Sequence, residues 1–249
     1  SGTGSCGPVL LFCNKVAMIG TLLMIQDLRE DIVETKKQKF QLLEQSFGVV
    51  YPEKNGRTHT NKEALDQFDS FVKEEKVVTL VGRVRSFRVM GKIGFAHIED
   101  GEAKIQIFLN LQVLGDEKFK LFVDTIETGD FVEATGKLFL TKKEEKTLEI
   151  SDWKILSKSM RPIPTEFYGL KDEEELLRRR YLDLMVNPET REMFRKKNIF
   201  WQTVRNVLVE EDFLEVQTPV LEHVPGGADA EPFITHHNAL DHDFYLRIS

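Results

Sequence analysis

An α+β chain is what this sequence predicts: a short helical segment, a closed five-stranded β-barrel, and then a long helix leading into further strands. Three observations carry that prediction. Apolar spacing is helical up to about residue 75, turns to a period of two from Val77 to Leu156, and becomes helical again after Asn187-Pro188 before strand-like runs close the chain. The 249 residues are 41% hydrophobic and 30% charged, a balance that excludes a disordered tail, a collagen-like fibre and a membrane protein. Lys and Arg total 34 against 41 Asp and Glu, so the net charge of -7 gives no general attraction to nucleic acid and leaves only a local basic patch to provide one. The two cysteines, Cys6 and Cys13, make no disulfide framework, and a reducing, cytoplasmic setting is the default.

Residues 1–23 read as a doubtful leader. The apolar run from Val9 to Ile25 has no positive charge before it and is interrupted by Asn14 and Lys15, which argues against a secretory signal or a membrane span. Met24, with Met18 as second choice, is the expected natural start, and what precedes it is expected to be overhang. Leu28, Ile32, Leu43 and Phe47 then lie close to helical spacing. Pro52 and Asn55-Gly56 mark a loop, and Thr60 with Glu63 has the spacing of a capping box opening a second helix that carries Leu65, Phe68 and Val72. These features define a helical segment over 24–75.

The next segment, 76–157, carries five strand-like runs: Val77 to Ser86, Gly94 to Glu99, Lys104 to Leu109, Asp130 to Leu140 and Thr147 to Leu156. Gly91, Asp100-Gly101, Thr128-Gly129-Asp130 and the charged stretch Lys142 to Lys146 separate them. Between the third and fourth, Phe119, Phe122, Val123 and Ile126 have helical spacing. Five strands with a helix between the third and fourth is the order of an OB-fold barrel. Alternation sets Ala96, Ile98, Ile105, Ile107 and Leu109 toward the core and leaves Phe95, His97, Lys104, Gln106 and Phe108 outside. An outward aromatic beside an amide, rimmed by Arg83, Arg85, Arg88 and Lys92, has the chemistry of a nucleobase platform. Alternation leaves a plainer reading open as well, in which Phe95 covers the barrel wall and the basic rim is a solvated face.

Residues 158–186 read as a connector, with Pro162 and Pro164 in a loop and KDEEELLRRRYLDL as a charged helix. Asn187-Pro188 is a helix start, an N-cap side chain followed by proline at the first helical position. Met193, Phe200, Val204, Val207 and Leu208 form its apolar stripe, and Asp212 is a candidate left-handed cap at its end. FLEVQTP is expected as a strand stopped by Pro219, and the pair Gly226-Gly227 permits a tight turn or close approach of backbone to a ligand. The strand-like DFYLRIS stops without turn or cap, which suggests that the sequence breaks off at Ser249.

Taken together, the barrel, the run RPIPTEFYGLKDEEELLRRRYLDLMVNPETREMFR, the unit FLEVQTP and the run PGGADAEPFITHHNALDHDFYLRIS closely resemble the front part of class II lysyl-tRNA synthetases. The resemblance runs from about Met24 to Ser249. It implies an anticodon-binding OB domain at 76–157 and, from 187–249, the opening of an antiparallel-sheet catalytic domain that stops before motif 2. By resemblance, Phe95 stacks on the central uridine of the U-rich lysine anticodon, while Arg88, Gln106 and Glu145 hydrogen-bond anticodon bases. The helix bearing Phe200, Val204 and Leu208, with Pro219 beyond it, matches motif 1, the homodimer interface of the family. Gly227 is the lysine contact, and Glu231 stands where the family is often basic. The implied reaction activates lysine with ATP and Mg2+ to lysyl-adenylate and passes it to the 3' end of lysine tRNA. The arginines and metal-binding acids for that chemistry are expected beyond Ser249, so no catalytic or metal-binding residue is assigned to this chain, and the chain alone is expected to be inactive.

Three other readings compete. His236, His237, His242 and Asp243 suggest a metal, but alternation puts His236 and His237 on opposite faces and no cysteine joins them. GKIGF at Gly91 lacks the Gly-Lys-Ser/Thr ending of a phosphate loop. The alternative from another class is a noncatalytic OB-fold RNA-binding protein.

Overall fold

The computed structural model describes residues 31–161, 163, 172–227 and 229–248. Cys6, Cys13, Met24, Leu28, Pro162, Pro164 and Ser249 lie outside the described residues. The chain divides into two compact units, Ser1–Pro164 and Thr165–Ser249.

The first unit is built on a closed barrel. Its strands are β1 (Val77–Met90), β2 (Ile93–Glu99), β3 (Lys104–Asn110), β4 (Phe131–Leu140) and β5 (Lys146–Ser157). They close in the order β1-β2-β3-β5-β4. All pairs are antiparallel except β3 with β5, which runs parallel. Between β3 and β4 the chain forms the short helix α4 (Leu111–Leu114) and then α5 (Asp116–Thr125), which buries Phe119 and Phe122. Period-two alternation fills the interior with Val78, Leu80, Val84, Ala96, Ile98, Ile105, Ile107, Leu109, Leu148, Ile150 and Ile155. Trp153 sits at 1% exposure with its ring 4.8 Å from Phe122 and 5.0 Å from Phe47, and its indole N–H donates to the Lys118 carbonyl at 3.1 Å. The β4 pairing with β5 shifts register between Thr135 and Gly136, and a side chain at Gly136 would begin 1.9 Å from the Glu149 carbonyl oxygen. Glycine is therefore required at that bulge.

Helix α1 (residues 31–47) lies in this unit with α2 (Asn61–Asp66) and α3 (Phe68–Lys73). The capping box forms in full: the Thr60 hydroxyl accepts from the Glu63 amide at 3.1 Å, and the Glu63 carboxylate accepts from the Thr60 amide at 2.7 Å. Those bonds hold the Glu63 carboxyl below its usual range, the bond from the Thr60 amide first. The expected second helix is broken at Gln67, so its apolar phase differs from the prediction: Ala64, Phe68 and Phe71 are buried, while Val72 faces solvent. Ile32, too, is exposed rather than packed, while Leu43 and Phe47 pack as expected and Lys36 joins them on the docked face of α1.

Lys36 docks because a carboxylate cluster faces it. Lys158, fully buried, donates to the Thr125 carbonyl at 2.6 Å, to Asp130 at 2.7 Å and to Glu127 at 3.0 Å. Lys36 and Lys39 of α1 reach the same Glu127 at 3.2 and 2.8 Å. Burial works to raise the Glu127 pKa, but the bonds from Lys39 and Lys158, with the charges of Lys158 and Lys36, outweigh it and pull the group down to about 2.

The second unit contains α6 (Glu173–Arg178), α7 (Arg180–Val186), α8 (Pro188–Glu210) and a small sheet of β6 (Leu221–Glu222), β7 (Ile234–His237) and β8 (His242–Leu246) in the order β6-β8-β7. The single charged helix expected over this stretch is two, split at Arg179. Asn187 caps α8 through its side chain, with Pro188 at the first position, and Asp212 ends it at a φ of 63°. FLEVQTP, expected as a strand, belongs to no ladder among the described residues; Arg205 of α8 reaches its Glu215 at 3.1 Å and Arg247 its Thr218 carbonyl at 3.4 Å, both through side chains.

Candidate nucleic-acid interface

The barrel's outer surface displays its side chains as rows, because cross-strand partners share a face. One row runs Arg88, Phe95, Phe108, Glu149 across β1, β2, β3 and β5. The next runs Ser86, His97, Gln106, Thr147 and on to Phe139 of β4. Arg88 reaches this face through a bulge. Val84 points inward, and strict alternation would send residue 88 inward too, but the β1–β2 register shifts between Val84 and Ser86 and turns Ser86 and Arg88 outward.

Three rings follow one another across the two rows, Phe95 to Phe108 in the first at 4.9 Å and Phe108 to Phe139 of the second at 5.7 Å. The Arg88 guanidinium lies over the Phe95 ring at 5.3 Å. Phe95 is half-buried, its place outside the core matching the alternation. In the second row the polar groups are bonded to each other. Gln106 donates to Glu145 Oε2 at 2.8 Å and accepts from the Thr147 hydroxyl at 3.0 Å. His97 Nε2 lies 3.0 Å from Glu145 Oε1, and its Nδ1 lies 2.9 Å from the Ser86 hydroxyl. Glu145 stands at the end of a turn closed by the Thr141 amide donating to the Glu145 carbonyl at 3.1 Å.

Two expectations change in detail. Gln106 is on the outward side, as alternation requires, but it is 2% exposed, because Glu145 and Thr147 lie over its amide. Its acceptor oxygen is occupied, and the acceptor accessible above it is the Glu145 carboxylate, 44% exposed. The basic rim is narrower than composition suggested: Arg83 packs over Phe131 at 4.4 Å and Arg85 pairs with Glu99, while Arg88 and Lys92 face solvent. The signal missed in the sequence was His97, read only as outward-facing; its spacing two residues from Phe95 and opposite Gln106 is what placed it beside Glu145.

In the second unit, Phe200 and Leu208 are exposed, Val204 is half-buried and Pro219 is exposed. Gly227 has a φ of 110°, which glycine alone adopts readily, and a side chain at Gly226 would meet nothing within 4 Å. His236 bonds Asp243 at 2.7 Å across the β7–β8 pair, while His237 and His242 pair with each other on the opposite face. No helix among the described residues is long and apolar enough to cross a membrane.

Two family models match. Residues 78–156 match the OB-fold nucleic acid binding domain, and residues 172–249 match the class II tRNA synthetases (D, K and N). Among curated relatives, the chain is 45% identical over 222 residues to "Lysine--tRNA ligase" of Clostridium novyi (strain NT), an alignment spanning 88% of the chain and 42% of the relative. It is 47% identical over 193 residues to the protein of the same name from Clostridium acetobutylicum, covering 78% of the chain and 37% of the relative. With the one from Chloroflexus aurantiacus the identity is 49% over 200 residues, covering 80% and 41%. The chain thus spans less than half the length of each of these relatives.

Proposed function

The chain belongs to the lysine–tRNA ligase family of class II aminoacyl-tRNA synthetases, and from that premise we propose that its barrel reads the anticodon of lysine tRNA for an enzyme that activates lysine. The observation that carries this reading is the Phe95 ring, held half-buried on the outer face beside a hydrogen-bonded carboxylate and amide. An unpaired base stacked on such a ring gains about 1–3 kcal/mol. Arg88, now over the ring, swings to the base edge or a phosphate as the base arrives, and the Glu145 carboxylate accepts from base N–H groups through Gln106-supported oxygens. In the 249-residue chain, Phe95→Ala is expected to weaken lysine tRNA binding about tenfold. Unchanged affinity and unchanged anticodon preference would sink the barrel assignment.

The family's chemistry joins the lysine carboxylate to the α-phosphorus of ATP, releasing pyrophosphate, and then passes the lysyl group to the tRNA 3' end. ATP and Mg2+ supply charge neutralisation for the phosphates in that reaction. Among the described residues no group of three or more histidine, cysteine or carboxylate side chains converges as a cation site, and Asp243 is taken up by His236. The residues present do not fit the metal, so no catalytic step is assigned to them. In this reading Gly227 contributes backbone to the lysine pocket, at a φ of 110° that would strain a residue with a side chain. Phe200, Val204, Leu208 and Pro219 contribute to a homodimer interface, the exposed stripe of α8 being the surface offered. A cytoplasmic location is part of the same proposal. The 249 residues alone are expected to bind RNA without making adenylate, and ATP–pyrophosphate exchange by the purified chain would overturn that.

A further inference from the structure

We propose that His97, oriented by Ser86, is a positioning residue that presents the Glu145 carboxylate to an RNA base; the inference rests on the anticodon reading above. Glu145 follows a turn and its side chain is 44% exposed, so left to itself it would sample many rotamers in solvent. Two contacts remove that freedom. Gln106 Nε2 donates to one carboxylate oxygen at 2.8 Å, and His97 Nε2 lies 3.0 Å from the other.

A carboxylate only accepts, so His97 Nε2 must carry a hydrogen. Nδ1 of the neutral ring is then an acceptor, and the Ser86 hydroxyl at 2.9 Å is the donor that matches it. The same logic fixes Gln106: its NH2 faces the carboxylate, so its oxygen faces the Thr147 hydroxyl at 3.0 Å. Two donating arms, Ser86 through His97 and Thr147 through Gln106, therefore converge on the Glu145 carboxylate. This leaves the Glu145 carboxylate, 44% exposed, with acceptor capacity to spare, as a preset acceptor for a base N–H such as N3 of uridine. Cytidine offers a lone pair at that nitrogen and is repelled.

The test uses the 249-residue chain and a stem-loop RNA with three uridines at the anticodon, together with versions in which each uridine in turn is cytidine. The amide nitrogen of glutamine reaches the place of Nε2, whereas asparagine reaches only the place of Nδ1. His97→Gln is expected to keep uridine-over-cytidine discrimination within about twofold of the parent, while His97→Asn and His97→Ala lose about tenfold at one position. Neither loss should deepen when Glu145→Gln is added. Equal behaviour of His97→Gln and His97→Asn, or intact discrimination in His97→Ala, overturns the positioning role. Phe95→Ala separates this from the parent reading: if it leaves binding unchanged, anticodon recognition by the barrel fails; if it weakens binding while His97→Ala keeps discrimination, only the positioning fails.

Discussion

The two units are made of equally well-specified elements and differ in what they bury. Every fully buried apolar side chain among the described residues lies between Leu43 and Ile155, in the unit of the barrel. In the other unit α8 is 23 residues long with a side-chain cap and N-terminal proline, yet buries no residue. Phe213, Leu214, Val216 and Phe233 beyond it are exposed as well, Leu214 at 84%. The contrast separates two jobs of a sequence. Caps and periodicity decide that a segment becomes a helix or strand, whereas burial needs a second surface, and the barrel supplies its own by closing on itself.

The sharpest way to break this comparison is a pair of aromatic truncations. Trp153→Ala removes a ring at 1% exposure and is expected to cost about 3–5 kcal/mol in urea unfolding followed by circular dichroism. Phe200→Ala removes one at 60% exposure and is expected to change stability by less than about 0.5 kcal/mol at concentrations too low for self-association. A large loss from Phe200→Ala in dilute solution would mean that α8 is already packed, and the contrast between the units would fail.

A smaller effect sharpens the account of the barrel unit. With its carboxyl at about 2 in the folded protein and an ordinary value of 4.5, Glu127 binds its proton less readily when folded. Its contribution is present above the ordinary value and is lost as pH falls through the range from about 4.5 to about 2. Allowing for partial exposure, Glu127→Gln is expected to cost about 2 kcal/mol at neutral pH. The difference between variant and parent should vanish on acidification to the lower end of that window. A difference that persists there would show that packing of α1, rather than charge, is what Glu127 supports.

Most of the barrel was legible in the sequence because its strands are half-buried, and a half-buried strand must alternate. Ala96, Ile98, Ile105 and Ile107 announce the interior, and Phe95 falls outside by subtraction. What alternation cannot carry is a bulge. The phase change between Val84 and Ser86, which turns Arg88 outward, is written in backbone pairing and leaves no mark in hydrophobicity. Nor can it tell outward from accessible: Gln106 points out and is covered, because Glu145 folds over it from a turn 39 residues away. The break at Gln67 was hidden for a related reason, since Leu65, Phe68 and Val72 fit one continuous helix as well as Ala64, Phe68 and Phe71 fit two short ones. FLEVQTP failed differently. Its composition is that of a strand, but a strand is a relation between two segments, and among the described residues no backbone ladder forms with it.

The least of the expected effects tests the comparison at its root. Asn187 accepts from the Glu189 amide at 3.1 Å and caps a helix with no buried side chain; Thr60 accepts from the Glu63 amide at 3.1 Å and caps a helix that buries Asn61 and Ala64. Losing either cap costs about 1 kcal/mol locally. In α8 no side chain is buried and the first turns are braced only lightly from α7, by the Thr190 hydroxyl donating to Asp183 at 3.1 Å and Arg180 over the Phe194 ring, so Asn187→Ala should reduce helicity and speed amide exchange in the first turns of α8, with no change in the melting of the barrel. In α2 the turn is pinned by packing and by the Asn61 amide donating to Asp100 at 2.9 Å, so Thr60→Ala should leave the helix intact and lower the melting temperature of the whole unit instead. Site-resolved hydrogen exchange on the two variants distinguishes the cases. If Asn187→Ala leaves exchange in α8 unchanged, that helix is held by contacts with another body and not by its own sequence.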